Sequence, residues 1–147
     1  MRLREIMSTP VVTLRSDSPV SSAAELLVEA GFGAAPVVDE HGALVGIADE
    51  ADLVRGRVVP DGWQVETPPE VSVSQVMTCD VVAGGPDDDV ADTVATMLDR
   101  HIRSVPVVSG GRPIGIVSRR DVLRAVAHRR LIADRIELVS HDRGARS

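Results

Sequence analysis

The sequence predicts a mixed α/β (α+β) fold made of two copies of one β-α-β-β-α unit, packed together. Three observations predict it. The chain superimposes on itself at an offset of 70 residues, and each half runs through the same order of helical stripes and short apolar strands. The length, 147 residues with 44% apolar content, suits one ordinary core or two small units sharing an interface.

The self-overlap places Met7 on Met77, Val11-Val12 on Val81-Val82, Asp17 on Asp87, Val20 on Val90 and Pro36-Val37-Val38 on Pro106-Val107-Val108. One residue drops out at a Gly-containing turn. At an offset of 69, Gly42 then meets Gly111, Gly46-Ile47 meets Gly115-Ile116, Asp52 meets Asp121 and Arg55 meets Arg124. A turn is where a duplication tolerates a deletion.

Each unit opens on an entry strand, near residues 11–14 or 81–83. In the first unit Ser18 then reads as an N-cap with Pro19 at the first helical position, and Val20, Ala23, Ala24, Leu27 and Val28 form one apolar stripe. In the second, Asp88 reads as the cap, and Val90, Val94, Met97 and Leu98 repeat most of the stripe with Thr93 in place of Ala23. A β-hairpin follows, with strands at 35–38 and 44–48 or at 105–108 and 113–117 around a polar, Gly-containing turn. A second helix begins near Asp49 or Ser118. Three strands under two helices leave too little core to stand alone, so the units are expected to pair.

Residues 57–71 contain Pro60, Asp61, Gly62, Pro68 and Pro69 without a sustained period and read as a surface connection. The expected organisation is repeat one at 1–58, linker at 59–71, repeat two at 72–128, and a C-terminal helix and tail at 129–147. Trp63, in the connection, is expected to pack over the module edge, with an interface or a ligand-stacking role as alternatives. In the tail, Leu131, Ile132, Ile136, Leu138 and Val139 suit a helical stripe for this module or a partner.

The order of elements, the Met-Ser-Thr-Pro and Met-Thr-Cys-Asp openings, the Pro-Val-Val strands and the segment Gly-Ile-Val-Ser-Arg-Arg-Asp at 115–121 resemble the cystathionine β-synthase (CBS) domain. Two such domains in tandem form a Bateman module, and the resemblance covers about residues 3–128. It implies that the repeats pack sheet to sheet about a pseudo-twofold axis, around two clefts that receive adenosine-containing ligands such as AMP, ADP, ATP or S-adenosylmethionine. It also implies a homodimer and an effector protein that reads ligand occupancy. In that family a Gly-x-x-[Thr/Ser]-x-x-Asp segment contacts the ligand, its hydroxyl reaching phosphate and its carboxylate the ribose, while residues before the strand proline hold adenine.

Carried over residue by residue, the resemblance assigns ligand contact to Val82, Arg103, Ser104, Val105, Pro106, Ile116, Ser118, Arg119, Arg120 and Asp121. A weaker second site falls on Thr13, Ala34, Ala35, Asp49 and Asp52. The second repeat keeps the whole Gly115, Ser118, Asp121 pattern, whereas the first has Asp49 where the hydroxyl belongs. Charge independently separates the halves. Residues 29–55 hold six acids and one Arg, a net of -5, and residues 99–124 hold two acids and six Arg, a net of +4. A helix beginning at 118 beside Arg119 and Arg120 favours phosphate. The expectation is one phosphate-bearing adenine nucleotide at Ser118 and Asp121, with the other cleft empty or holding a neutral or cationic adenosyl compound. Two plainer readings stand beside it. Ser118 and Asp121 also form a capping box, and the arginines also suit pairing with the acidic first repeat.

Other classes fit poorly. A net charge of -6, one Trp, one Phe and no Tyr argue against nucleic-acid binding. The four histidines are dispersed, Cys79 is the only cysteine, and catalysis or a metal site is not expected. Neither a membrane span nor a signal segment is apparent, so a cytoplasmic location is expected. The alternative to a nucleotide sensor is an interaction or scaffold protein whose clefts no longer bind nucleotide.

Overall fold

The computed structural model describes residues 1–55, 57–63 and 70–128. The predicted C-terminal stripe lies outside the described residues. After a 3-10 turn at Leu3–Glu5, the first repeat carries β1 (Leu14–Arg15), α1 (Val20–Ala30), β2 (Ala34–Val38), β3 (Leu44–Asp49) and α2 (Glu50–Val54). The second carries α3 (Val73–Val76), α4 (Val90–Asp99), β4 (Ser104–Ser109), β5 (Arg112–Ser118) and α5 (Arg119–Ala127).

In the first sheet β1 runs parallel to β2, and β2 pairs antiparallel with β3. The second sheet is the hairpin β4-β5, with the expected entry strand reduced to a single parallel bridge between Gly84 and Val107. The first entry strand is also shorter than expected, two residues instead of four. Helix starts shift as well. Pro19, not Ser18, is the N-cap of α1, and Asp89, not Asp88, caps α4 by accepting from the Ala91 N–H at 2.9 Å. The Asp88 carboxylate instead accepts from the Gly85 N–H at 2.8 Å, closing the turn before the helix. Gly31 ends α1 in the left-handed region at φ 75°, and His101 occupies the matching position after α4 at φ 55°.

The leading segment of each repeat packs on the other repeat. Leu3 is fully buried in the second core with Ile6, Val90, Val107, Val117 and Ala125. Val73, equally buried, belongs to the first core with Leu14, Val20, Leu27, Val37 and Leu53. The backbone bonds are reciprocal. Leu3 N–H donates to Asp88 O at 3.0 Å and Val90 N–H to Met1 O at 2.9 Å, while Val73 N–H donates to Ser18 O at 2.9 Å and Val20 N–H to Val71 O at 2.8 Å. Further along, Ser8 bridges Ile116 and Thr78 bridges Ile47. Met7 then lies over Gly115 and Met77 over Gly46, where a Cβ would sit 2.5 Å and 2.6 Å from the sulfurs. Matching contacts at matching positions express the pseudo-twofold relation. The exchange also supplies each small sheet with apolar cover its own repeat lacks.

The hairpins meet as well, with β2 against β4 and β5, and the Leu44 N–H donating to Gly111 O at 2.9 Å. Residues 57–63 and 70 of the connection are exposed. Trp63 is 71% exposed, so within the chain it does not pack over the module edge as expected; the Trp63 N–H to Pro60 O bond holds it in a turn of the connection.

Candidate functional site

The site grows from the end of β5. Ser118 is extended, at φ -104° and ψ 167°, and caps the nine-residue α5. Its Oγ accepts from the Asp121 N–H at 3.2 Å, and the Asp121 carboxylate in return accepts from the Ser118 N–H at 2.8 Å, a reciprocal capping box. The cap places Asp121 facing inward at 5% exposure. Its Oδ2 also accepts from Ser118 Oγ at 3.0 Å, and its Oδ1 accepts from Ser8 Oγ at 3.0 Å and Arg124 Nη1 at 3.2 Å. These partners account for the roughly four acceptor positions of an ionised carboxylate.

A cleft of about 540 Å³ opens in front of this group. Its walls bring together Arg103, Ser104, Ile116, Ser118, Arg119, Arg120 and Asp121 of the predicted set, with Ala34 and Asp49 of the weaker set. The Arg119 N–H donates to Arg103 O at 3.0 Å, so the start of α5 fixes the residue before β4. At the matching place in the first repeat, the Glu50 N–H donates to Gly33 O at 3.0 Å.

A second cleft of about 240 Å³ is lined by Asp49, Asp52, Ile47, Ala34, Thr78, Asp80, Val81, Val82 and His101, with Ile102, Arg103 and Ser104. Val82 therefore stands with Asp49 and Asp52, not with Ser118 and Asp121, because the segment leading each repeat crosses to the other. Asp49 and Asp52 form the equivalent capping box, with Asp49 N–H to Asp52 Oδ2 at 3.0 Å and Asp52 N–H to Asp49 Oδ1 at 2.8 Å. Burial raises the Asp52 carboxyl above its ordinary value; the Asp49 N–H bond opposes this and the Asp49 charge adds to it. Ala34, Asp49, Arg103 and Ser104 line both clefts.

Four predicted positions line neither cleft. Val105, Pro106 and Ala35 are buried in β4 and β2, where both faces of the strand are covered, so neither face opens on a cleft there. Thr13 precedes β1 and lines neither cleft. Ser8, Gly33, Glu50 and Arg124 line the larger cleft and were not expected there. For Ser8 the signal was available: the 70-residue offset pairs it with Thr78, and both sit at the same distance after Met7 or Met77. What the sequence withheld was which repeat that segment would join.

Charge in the larger cleft is mixed. Arg103, Arg119, Arg120 and Arg124 face Asp49, Glu50 and Asp121, a formal +1, whereas the smaller cleft has three carboxylates against Arg103. The electropositive half and the electronegative half thus meet across a shared wall. Cys79 is exposed, and among the described residues no three potential metal-ligating side chains come together. No helix among them is long and apolar enough to cross a membrane.

The model of the CBS domain matches residues 3–58 and again 73–128. Protein MJ1225 of Methanocaldococcus jannaschii is 29% identical over 123 residues, which span 83% of this chain and 41% of that protein. The CBS domain-containing protein YhcV of Bacillus subtilis is 32% identical over 120 residues, covering 82% of this chain and 81% of YhcV. Among solved structures, the CBS domain pair of protein MJ0100, in complex with 5′-methylthioadenosine and S-adenosyl-L-methionine, superimposes with a TM-score of 0.76 at 28% identity. That likeness covers 88% of this chain and 98% of the MJ0100 chain.

Proposed function

Because the chain belongs to the CBS-domain family and carries that domain twice, we propose that it is a regulatory module that binds an adenosine-containing ligand and signals occupancy to a partner protein. The ligand occupies the cleft around Ser118 and Asp121. The observation that carries this reading is a carboxylate at 5% exposure, held by a helix cap at the head of a cleft whose rim bears Arg119 and Arg120. Burying an ionised carboxylate is costly unless it is paired, and the cleft keeps one side of it within reach of a diol. The α5 N-terminus offers N–H donors to an anionic group beside it. The complex of MJ0100 with two adenosine compounds supports the adenosine class. AMP, ADP, ATP and S-adenosylmethionine are the candidates.

Binding at Asp121 has a structural consequence. The acceptor positions already hold protein donors, so a ribose diol exchanges with the two outward partners, Ser8 and Arg124. Ser8 is six residues ahead of Leu14, where β1 of the first repeat begins, so ligand exchange at one repeat loosens the lead-in to the other. The ligand favours one arrangement of the repeats by its differential affinity. Exposed Val28, Val54, Leu98 and Leu123 on α1, α2, α4 and α5 support self-association through the helical layer, as a homodimer. The smaller cleft, with Asp49, Asp52 and Asp80, suits a neutral or cationic adenosyl compound.

Thermal unfolding with each of the four ligands tests the reading. At about 100 times its dissociation constant, a ligand of the native state adds roughly 2.7 kcal/mol. The expected result is a shift of several degrees with at least one ligand that is lost in Asp121→Asn, a variant that keeps the side-chain shape. The protein-satisfied Asp121 also fits a second reading, a scaffold whose box only caps α5. Absence of any shift selects that reading.

A further inference from the structure

Resting on that reading and deepening it, we infer that Glu50 and Asp49 of the first repeat limit the Ser118 cleft to ligands with a single anionic group, rejecting adenosine di- and triphosphates. The two repeats meet at this cleft with inverted charge. Position 103 is Arg where its counterpart 33 is Gly, and position 119 is Arg where its counterpart 50 is Glu. The backbone is the same at both places, since Glu50 and Arg119 each donate to the residue before the strand at 3.0 Å. Only the side chains differ.

Glu50 is also directed at the opening. A Cβ built on Gly33 would lie 3.2 Å from Glu50 Oε1, so the carboxylate folds over the position where the other repeat has an arginine, and both residues line the cleft. Asp49 stands beside it as the cap of α2. Of the four arginines in the walls, Arg124 pairs with Asp121 at 3.2 Å and, once a ribose diol replaces it there, still offsets no more than that one carboxylate. Arg103, Arg119 and Arg120 then face Asp49 and Glu50, leaving one formal positive charge. A phosphate monoester, at about -1.5 to -2 near neutral pH, takes up that charge together with the N–H groups at the start of α5. A second or third phosphate adds negative charge beyond that single net positive charge and extends toward the two carboxylates, and like charges brought together across a cleft disfavour the ligand that carries them.

The test is calorimetric titration of adenosine, AMP, ADP and ATP, free of divalent metal and at fixed ionic strength, into wild type, Glu50→Gln and Asp49→Thr. Thr retains an N-cap and Gln a side chain of the same length, so both variants keep α2. Wild type is expected to bind AMP about tenfold or more tighter than ATP, and each variant to narrow that ratio by about threefold or more through tighter ATP binding. Equal affinities for AMP and ATP in wild type, or an AMP-to-ATP ratio untouched in both variants, overturns the inference while leaving the adenosine-binding reading in place. No binding of adenosine or AMP overturns the reading itself, and the inference with it.

Discussion

Replacing Leu3 by Ala tests the crossing of the leading segments, on which the position of Ser8 in the cleft depends. Leu3 belongs to the short 3-10 turn Leu3–Glu5, outside both sheets. Here it is fully buried, its backbone N–H bonds Asp88 O at 3.0 Å, and its Cδ1 lies over Gly84, 2.6 Å from where a Cβ would stand. Truncating a buried leucine costs about 2–5 kcal/mol, set by how far the site collapses. The three-residue 3-10 turn that carries Leu3 can settle partway into the cavity, which favours about 3 kcal/mol. With each kcal/mol moving the midpoint by about 3 °C in a chain near 150 residues, the expected shift is roughly 9 °C.

The assay is calorimetric unfolding of wild type, Leu3→Ala and a control, Leu26→Ala, whose side chain on α1 is 39% exposed. The control is expected to lose about 1 kcal/mol or less. Val73→Ala probes the reciprocal crossing and is expected to cost about 2 kcal/mol. A Leu3→Ala shift below about 2 °C, or one equal to that of Leu26→Ala, refutes the crossed packing, since the same composition in an uncrossed arrangement would leave residue 3 outside the second core.

The other predictions concern the shared wall and the floor. Gly115→Ala places a methyl 2.5 Å from Met7 Sδ and 2.9 Å from its Cγ, so the segment carrying Ser8 must move; the expected cost is about 1–3 kcal/mol by chemical denaturation, along with weaker ligand binding. Asp52→Asn tests the raised carboxyl. A carboxyl raised on folding binds its proton more tightly in the native state, so its contribution to stability improves as pH falls from above the folded value toward the ordinary value near 3.9 and worsens as pH rises through that window. The stability difference, wild type minus Asp52→Asn, is therefore expected to become more favourable to wild type on acidification through that window; a flat or opposite difference shows that Asp52 is not penalised by burial.

What the sequence made legible was whatever the duplication wrote twice. Strand centres at Pro36-Val37-Val38 and Pro106-Val107-Val108, and the capping boxes at Asp49 and Ser118, lie at repeated positions with strong local signals, and the structure has them there. Helix starts were off by one residue because Ser18 and Asp88 are both good caps by type, while the backbone pairing of residues 19 and 89 with the other repeat decides where each helix begins. The entry strands were overestimated for a related reason: valines at 11–12 and 81–82 carry strand propensity, but the neighbouring strands pair with only one or two residues of each segment. Grouping Val82 with Asp121 failed because periodicity and offsets are blind to exchange. Two repeats with identical leading segments look the same whether each covers itself or its neighbour.

Exchange also explains how so small a module could respond to a ligand as a whole. If each repeat were self-contained, occupancy of one cleft would be felt only at their interface. Instead Ser8 belongs to the segment that completes the second core through Leu3, Ile6 and Met7, and its chain runs on through residues 9–13 into β1 of the first sheet. On the proposed reading, a ligand that takes Asp121 from Ser8 would act on a strand of one repeat and on the cover of the other in the same step. The sulfur of Met7 packed on Gly115 leaves little slack for the change to be absorbed locally. Two discrete arrangements of the repeats are then a more natural outcome than a graded deformation, and it is the difference in ligand affinity between such arrangements that makes a binding module regulatory.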